Sequence, residues 1–407
     1  MSPLAVIVAI VLVDLIGFTI VMPLLAPFAK EFRLEGWQIG LLFAAYPACQ
    51  LVAGPILGRL SDRYGRRPVL ILSQAGTALS FLLLGLSRNF TMMLLARALD
   101  GASGGNILVA QAYVADVTTK ENRARGLGLI GMAFGLGFVL GPLLGGLLLE
   151  LPVDPYWRPR VPFLVAAVFS TIAWVLVLTC LPESLPADAS ARQEARVFTV
   201  RGLIETLTHP TIGMLVAVGF LVVFAFATLE GTFSLFLLGR MHWDARRAAY
   251  AFAFLGLVSA VVQGGLIRKL VPRFGEPRLI LVGIAGLALG LVLLAVATNV
   301  PMLLGATLVL GVGQGLVSPS LSGLLSRVTP AGEQGAIFGT YGSAQTLARV
   351  VSYAVANTLL ARVGPAAPYW LGSAVAAAAM ALASIACRRA VAPEAVTVEA
   401  GAAASGG

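Results

Sequence analysis

Five ionisable side chains, Asp14, Arg97, Asp100, Glu230 and Arg349, lie inside stretches of a 407-residue chain that are otherwise apolar. A charge in such a stretch must face water or find a partner, because exposure to hydrocarbon is costly. Buried carboxylates do proton chemistry. Burial raises the proton affinity of a carboxyl group and a nearby guanidinium lowers it, so a cavity that opens or closes converts movement into uptake or release of H+. Arg97 and Asp100 are three residues apart on one helix face and can pair. Asp14 has no basic residue in its own stretch, and Glu230 has none nearby in sequence. These two are the candidate coupling carboxylates, with Arg97 and Asp100 setting the local field. Each acid also has a purely structural reading, Asp14 as the cap of a broken turn and Glu230 as a bond across helices.

The elements that must position these groups are membrane helices. The chain is 58% hydrophobic and only 12% charged, with a mean hydropathy of +0.91. A soluble fold cannot cover so much apolar surface with so little charge. Runs of about 20 apolar residues match a hydrocarbon layer roughly 30 Å thick. Twelve such spans are expected, at 4–28, 37–58, 68–87, 91–113, 125–149, 161–181, 210–236, 247–267, 279–299, 302–325, 335–361 and 368–387. A closed barrel would need alternating segments of about ten residues, which these are not. The expected fold class is an all-α polytopic membrane protein. The first apolar run, without a basic leader or an evident cleavage site, reads as a retained helix.

With both termini placed in the cytoplasm, 17 Lys/Arg fall on that side and nine on the other, so the positive-inside rule favours this orientation. Residues 182–209 form the longest polar interruption and separate six spans from six. The expected organisation is a bundle over 1–181, a cytoplasmic linker over 182–209, a second bundle over 210–389 and a flexible cytoplasmic tail over 390–407. Shifting the first half by 210 residues lays Gly54, Leu60, Arg63 and Gly65 over Gly264, Leu270, Arg273 and Gly275. Asp62 then falls on Pro272, so the second copy lacks that acid.

Two motifs carry more specific chemistry. The basic loop between the second and third spans holds Gly58, Asp62, Arg63, Gly65, Arg66 and Arg67, a candidate charged gate in which Asp62 can pair with an arginine. In the fifth span Gly128, Gly137, Gly141, Pro142, Gly145 and Gly146 let helix backbones approach closely and promote a bend. Ordinary positive-inside chemistry and static helix packing are the plainer readings of the two. Candidate cavity residues are Phe18, Tyr46, Phe134, Phe224, Phe233, Tyr341 and Gln345, since large apolar solutes bind through broad aromatic contact.

The segment from Gly58 to Arg67, with Gly141-Pro142-Leu143-Leu144-Gly145-Gly146 and Arg97 to Gly105, resembles the signatures of the major facilitator superfamily, especially its twelve-helix drug:proton antiporters and their tetracycline-exporter-like branch. The resemblance implies two six-helix bundles around a central route that opens alternately to either side. It implies a gating role for Asp62 and its neighbouring arginines, and a role for Arg97 in linking protonation to movement. Asp14-Leu15-Ile16-Gly17-Phe18 and Pro23 are similar to the first-helix pattern of tetracycline exporters. The eighth and ninth spans carry neither the histidine nor the carboxylate found there in those exporters.

The function so implied is secondary active transport: proton-coupled efflux of hydrophobic or cationic drug-like molecules, a basis for antibiotic resistance, by a protein of the bacterial inner or plasma membrane. The alternatives are proton-linked uptake or facilitated transport of a metabolite, and a receptor or scaffold without turnover. Expected partners are a small-molecule solute, protons and membrane lipids, with the chain acting as a monomer. No enzyme chemistry, nucleic-acid partner, cofactor or metal is expected. The net charge of +9 is dispersed between spans, where lipid headgroups answer it. Cys49, Cys180 and Cys387 have no metal-ligand spacing.

Overall fold

The computed structural model describes residues 3–185, 206–330 and 333–391, and all their regular secondary structure is helical. Most of the expected linker and tail lies outside the described residues. The helices are α1 (Pro3–Glu31), α2 (Gly36–Tyr64), α3 (Arg66–Gly85), α4 (Phe90–Ser103), α5 (Asn106–Val117), α6 (Lys120–Leu148) and α7 (Val161–Cys180). Further along the chain come α8 (Ile212–Met241), α9 (Ala245–Val261), a π-helical segment (Val262–Leu266), α10 (Ile267–Phe274), α11 (Glu276–Val296), α12 (Val300–Val328), α13 (Gln334–Arg362) and α14 (Ala367–Val391).

Ten of these, with Ala245–Phe274 taken as one, are long and apolar enough to cross a membrane. That corrects the expectation of twelve uninterrupted apolar spans in two places. The fourth expected span is two helices, broken at Gly104 and Gly105, because Gly101-Ala102-Ser103-Gly104-Gly105 has weak helix propensity. The eleventh, α13, is a single helix but is rich in Gly, Ser, Thr, Gln and Asn. It packs against α2 and α8, so much of its surface meets protein rather than lipid.

The gate motif also differs from expectation. It is helical through Tyr64, and Gly65 alone breaks the chain, with φ +105°. Only a residue without Cβ adopts that angle without strain. Gly275, 210 positions later, breaks the chain before α11 in the same way, with φ +76°. The same offset relates two helix caps. Asn89 accepts a bond from the Met92 amide at 2.9 Å and Asn299 from the Met302 amide at 3.0 Å, at the starts of α4 and α12.

Helix α6 presses on α1 through its glycines. A Cβ on Gly137 would stand 2.7 Å from Leu15 Cβ, and the Thr19 hydroxyl donates to the Gly137 carbonyl at 2.7 Å. Gly137→Leu is therefore expected to destabilise the protein by about 1–3 kcal/mol by forcing α1 off α6. Gly128→Ala meets nothing within 4 Å and should be close to neutral. Thermal unfolding of the two variants in detergent checks this contrast.

Candidate functional site

At mid-depth the helices enclose a cavity of about 200 Å³. Its charged and polar lining is Asp14 on α1, Tyr46 and Gln50 on α2, Thr77 on α3, Arg97 and Asp100 on α4, Asn106 on α5, and Thr346, Arg349 and Tyr353 on α13. Phe18, Met22, Phe81, Phe134 and Phe138 supply the apolar wall. Of the aromatic candidates, Phe18, Tyr46 and Phe134 line this space. Phe233 is instead fully buried against Phe252, and Tyr341 is buried beside Gly219. Phe224, whose ring neighbours that of Phe220, and Gln345 are not in the lining either. Helical periodicity does not distinguish core from cavity when every face is apolar.

The membrane-embedded charges fall into two ion pairs and one acid without a cation. Arg97 is buried, donates to Asp100 at 2.9 Å and to the Leu42 carbonyl at 3.4 Å, and lies 4.9 Å from the Tyr46 ring centroid. Glu230 sits just behind the cavity, accepting from the Tyr353 hydroxyl at 2.9 Å and from Arg349 Nε at 3.4 Å. The expectation that Glu230 lacks a basic neighbour holds along the chain only; its partner is 119 residues away. Asp14 is held by neutral amides, with Gln74 and Asn106 both donating to Oδ2, at 2.6 and 3.0 Å. Its Oδ1 is buried without a hydrogen-bond partner among the described residues. Among the described residues, no guanidinium forms an ion pair with Asp14. Gln74 and Asn106 were missed in the sequence, although an amide within an apolar span and an asparagine following Gly-Gly were visible signals.

At the membrane face bearing residues 58–67, Arg66 is buried and pairs with Asp62 one turn back and with Asp116 at 3.0 Å. Asp116 also accepts from Ser184 at 3.1 Å. Glu183 accepts the backbone amides of Arg66 and Arg67 at 2.8 and 3.1 Å, capping α3. Arg67 donates to the Leu178 carbonyl at 2.7 Å, and Arg63 is exposed over the Tyr64 ring. These contacts join α2, α3, α5 and α7 to one another and to Glu183 and Ser184 just after α7, and none reaches residues 210–389. In the second half, Glu276, at the position equivalent to Arg66, pairs with Arg327 at 2.6 Å. The charge order of the pair is reversed, which answers the loss of an acid at Pro272. Glu183→Ala is expected to cost about 1–2 kcal/mol by uncapping α3. Chemical denaturation of the purified variant measures it.

The cavity has one closed end. At the face away from residues 58–67, a Cβ on Gly40 would come within 3.0 Å of the Tyr353 carbonyl, and one on Gly146 within 2.6 Å of the Tyr250 ring. Tyr250 donates to Glu150 at 2.7 Å, and Ser234 donates to the Pro23 carbonyl at 2.7 Å. At the opposite ends of the same helices, Gly58, Gly128, Gly131, Gly264, Gly265, Gly339 and Gly342 meet nothing within 4 Å. The helices are joined at one face and parted at the other.

A charged cavity walled by helices from both ends of a multi-pass fold is the arrangement of a membrane transport protein, and similarity to known proteins assigns that class. A family model described as Major Facilitator Superfamily matches residues 7–273 and 266–404, and the chain belongs to that superfamily. Tetracycline resistance protein, class B, of Escherichia coli is 30% identical over 338 residues, 81% of this chain and 81% of that protein. Major facilitator superfamily domain-containing protein 10 of Mus musculus is 28% identical over 411 residues, 89% and 86% of the two. Among solved structures, the human organic anion transporter MFSD10 (TETRAN) aligns with a TM-score of 0.71 at 26% identity, covering 93% of this chain and 98% of that one. The nucleoside transporter NupG aligns with a TM-score of 0.75 at 12% identity, over 96% and 99%, a likeness of fold alone. The protein is thus a secondary-active, multi-pass transporter and not an enzyme. Its likeness spans tetracycline resistance proteins and an organic anion transporter, so membership is established for the superfamily and not for one branch.

Proposed function

We propose that this chain moves a small amphipathic organic solute across the membrane in a cycle linked to protons, with Asp14 as the group that gains and loses the proton. The observation that carries this reading is the set of contacts around Asp14, a buried carboxylate with amide partners and no cation, in the wall of the solute cavity. Ionised Asp14 has no arginine to stabilise it among the described residues, whereas the ionised forms of Asp100 and Glu230 are each stabilised by one. A state with a proton on Asp14 and one without it then favour different openings. Arg97 and Asp100 set the field at Asp14, and Glu230 anchors Arg349.

In this reading α4 with α5 makes one crossing and α13 another, which completes twelve passes in two halves, 1–181 and 210–389, joined by 182–209 and followed by the tail from 390 to 407. The monomer is the working unit. Both termini and the parted face lie in the cytoplasm, where the basic residues concentrate. The network around Asp62, Arg66, Asp116 and Glu183 braces the first half at that face, while the α6 glycines let α6 slide on α1 and α9. The resemblance of the segments Gly58 to Arg67 and Gly141 to Gly146 to drug:proton antiporters supports solute–proton exchange, and likeness to an organic anion transporter widens the solutes to be tested beyond drug-like cations.

The test is solute flux in sealed vesicles with the pH gradient and the membrane potential varied separately. Solute leaving against inward protons establishes exchange, and solute accumulating with protons establishes uptake. Flux indifferent to both gradients, or binding without flux, rejects the proton-linked cycle.

A further inference from the structure

The charges of the cavity are not equally reachable. Arg97 has 2% of its side chain exposed and is occupied by Asp100, the Leu42 carbonyl and the Tyr46 ring. Asp100 exposes 6% of its side chain, and Glu230 exposes 5%. Asp14 is buried, its Oδ1 atom included. Arg349 stands apart, with 33% of its side chain exposed. Only its Nε is engaged, by a long 3.4 Å contact to a Glu230 oxygen that Tyr353 already holds more closely. Its two terminal nitrogens have no partner among the described residues, and Arg349 belongs to the cavity lining.

A guanidinium held by Nε with its terminal nitrogens free presents a planar fork suited to two oxygens of an anion. Around it stand Tyr46, Phe18, Phe134 and Phe138, an aromatic wall that gains from burying an apolar body. A cationic headgroup would find the lining carboxylates of Asp14 and Asp100 nearly buried and already hydrogen-bonded, and would meet the more exposed positive charge of Arg349 instead. We infer that Arg349 is the solute-recognition residue and that the cavity selects amphipathic organic anions, with a carboxylate or sulfonate on the Arg349 fork and an aromatic or apolar body against the phenylalanine wall. This inference rests on the proposed solute cavity but not on how transport is driven. Glu230 and Tyr353 act here as positioning residues that aim the fork.

The experiment compares three probes of one shape, 2-naphthoate, 2-naphthamide and 2-naphthylmethylammonium, by calorimetric binding to the purified full-length protein without any gradient. The anion should bind at least about tenfold more tightly than the other two. Arg349→Gln should weaken 2-naphthoate by about ten- to a hundredfold, the range for losing a charge-assisted pair, while 2-naphthamide is unchanged. Because Arg349→Gln leaves Glu230 without its counter-ion, the double variant Arg349→Gln/Glu230→Gln removes both charges and should show the same loss of anion preference at a wild-type melting temperature. The inference is overturned if the amide or the cation binds wild type as tightly as the anion. Absence of saturable 2-naphthoate binding overturns it too, as does an anion preference that survives the double variant. Binding without a gradient is blind to proton coupling, so failure here leaves the role of Asp14 standing, and loss of coupling in Asp14 variants leaves the anion preference standing.

Discussion

Asp14→Asn is expected to lower proton-driven solute flux by about a hundredfold, the upper range of coupling between linked sites, while solute exchange at equilibrium persists. Asparagine keeps the size of the side chain and an acceptor for the amides of Gln74 and Asn106, so α1, α3 and α5 remain bonded as they are. What it removes is the titratable proton. Asp100 and Glu230 do not replace it, because Arg97 and Arg349 balance their charges. Glu230→Gln should act differently, weakening stability and the placement of Arg349 more than the response to pH. The paired measurements are flux driven by a pH gradient and counterflow without one. Unchanged gradient-driven flux in both well-folded variants removes both carboxylates from the coupling mechanism.

Leucine at Gly131 or at Gly264 is expected to stop turnover, by about a hundredfold, while solute binding stays within a fewfold of wild type. The closed face shows how α6 and α9 pair: Gly146 meets Tyr250, Gly256 meets Phe138, and Gly135 meets Ala260. Continuing that antiparallel register brings Gly131 opposite Gly264 in the π-helical segment, yet both positions are open to 4 Å. A leucine fits there now and obstructs the approach of the two helices when this face closes. Overpacking of a close helix contact costs about 1–3 kcal/mol per site, and about 2.7 kcal/mol shifts a two-state equilibrium a hundredfold. A cysteine pair at Gly131 and Gly264 supplies the complementary readout, because it should cross-link only while solute and gradient drive turnover. Normal transport by both leucine variants would show that these helices do not close on each other.

The relation between the halves depends on both kinds of information. The 210-residue offset was visible in Gly65 and Gly275, and it extends in the structure to the Asn89 and Asn299 caps. The charge-reversed pairs Arg66–Asp116 and Glu276–Arg327 were not legible, because each joins residues about 50 positions apart. The gate motif was visible as a cluster of charges, but its role as two helix ends around one glycine, capped by Glu183, needed the packed chain.

Composition and hydropathy by themselves determined that the chain is a helical membrane protein, since the free energy of placing apolar runs in hydrocarbon depends on local sequence alone. They also marked Asp14, Arg97, Asp100 and Glu230 as costly groups that must have partners. Which partners they have was decided only by tertiary structure. Glu230 acquired Arg349, Asp14 acquired two amides and no cation, and Phe233 went to the core while Phe134 reached the cavity. In a helix that is apolar on every face, no periodic signal distinguishes lipid, protein and water, and the Coulomb energy of a buried charge is set by neighbours that lie far away along the chain.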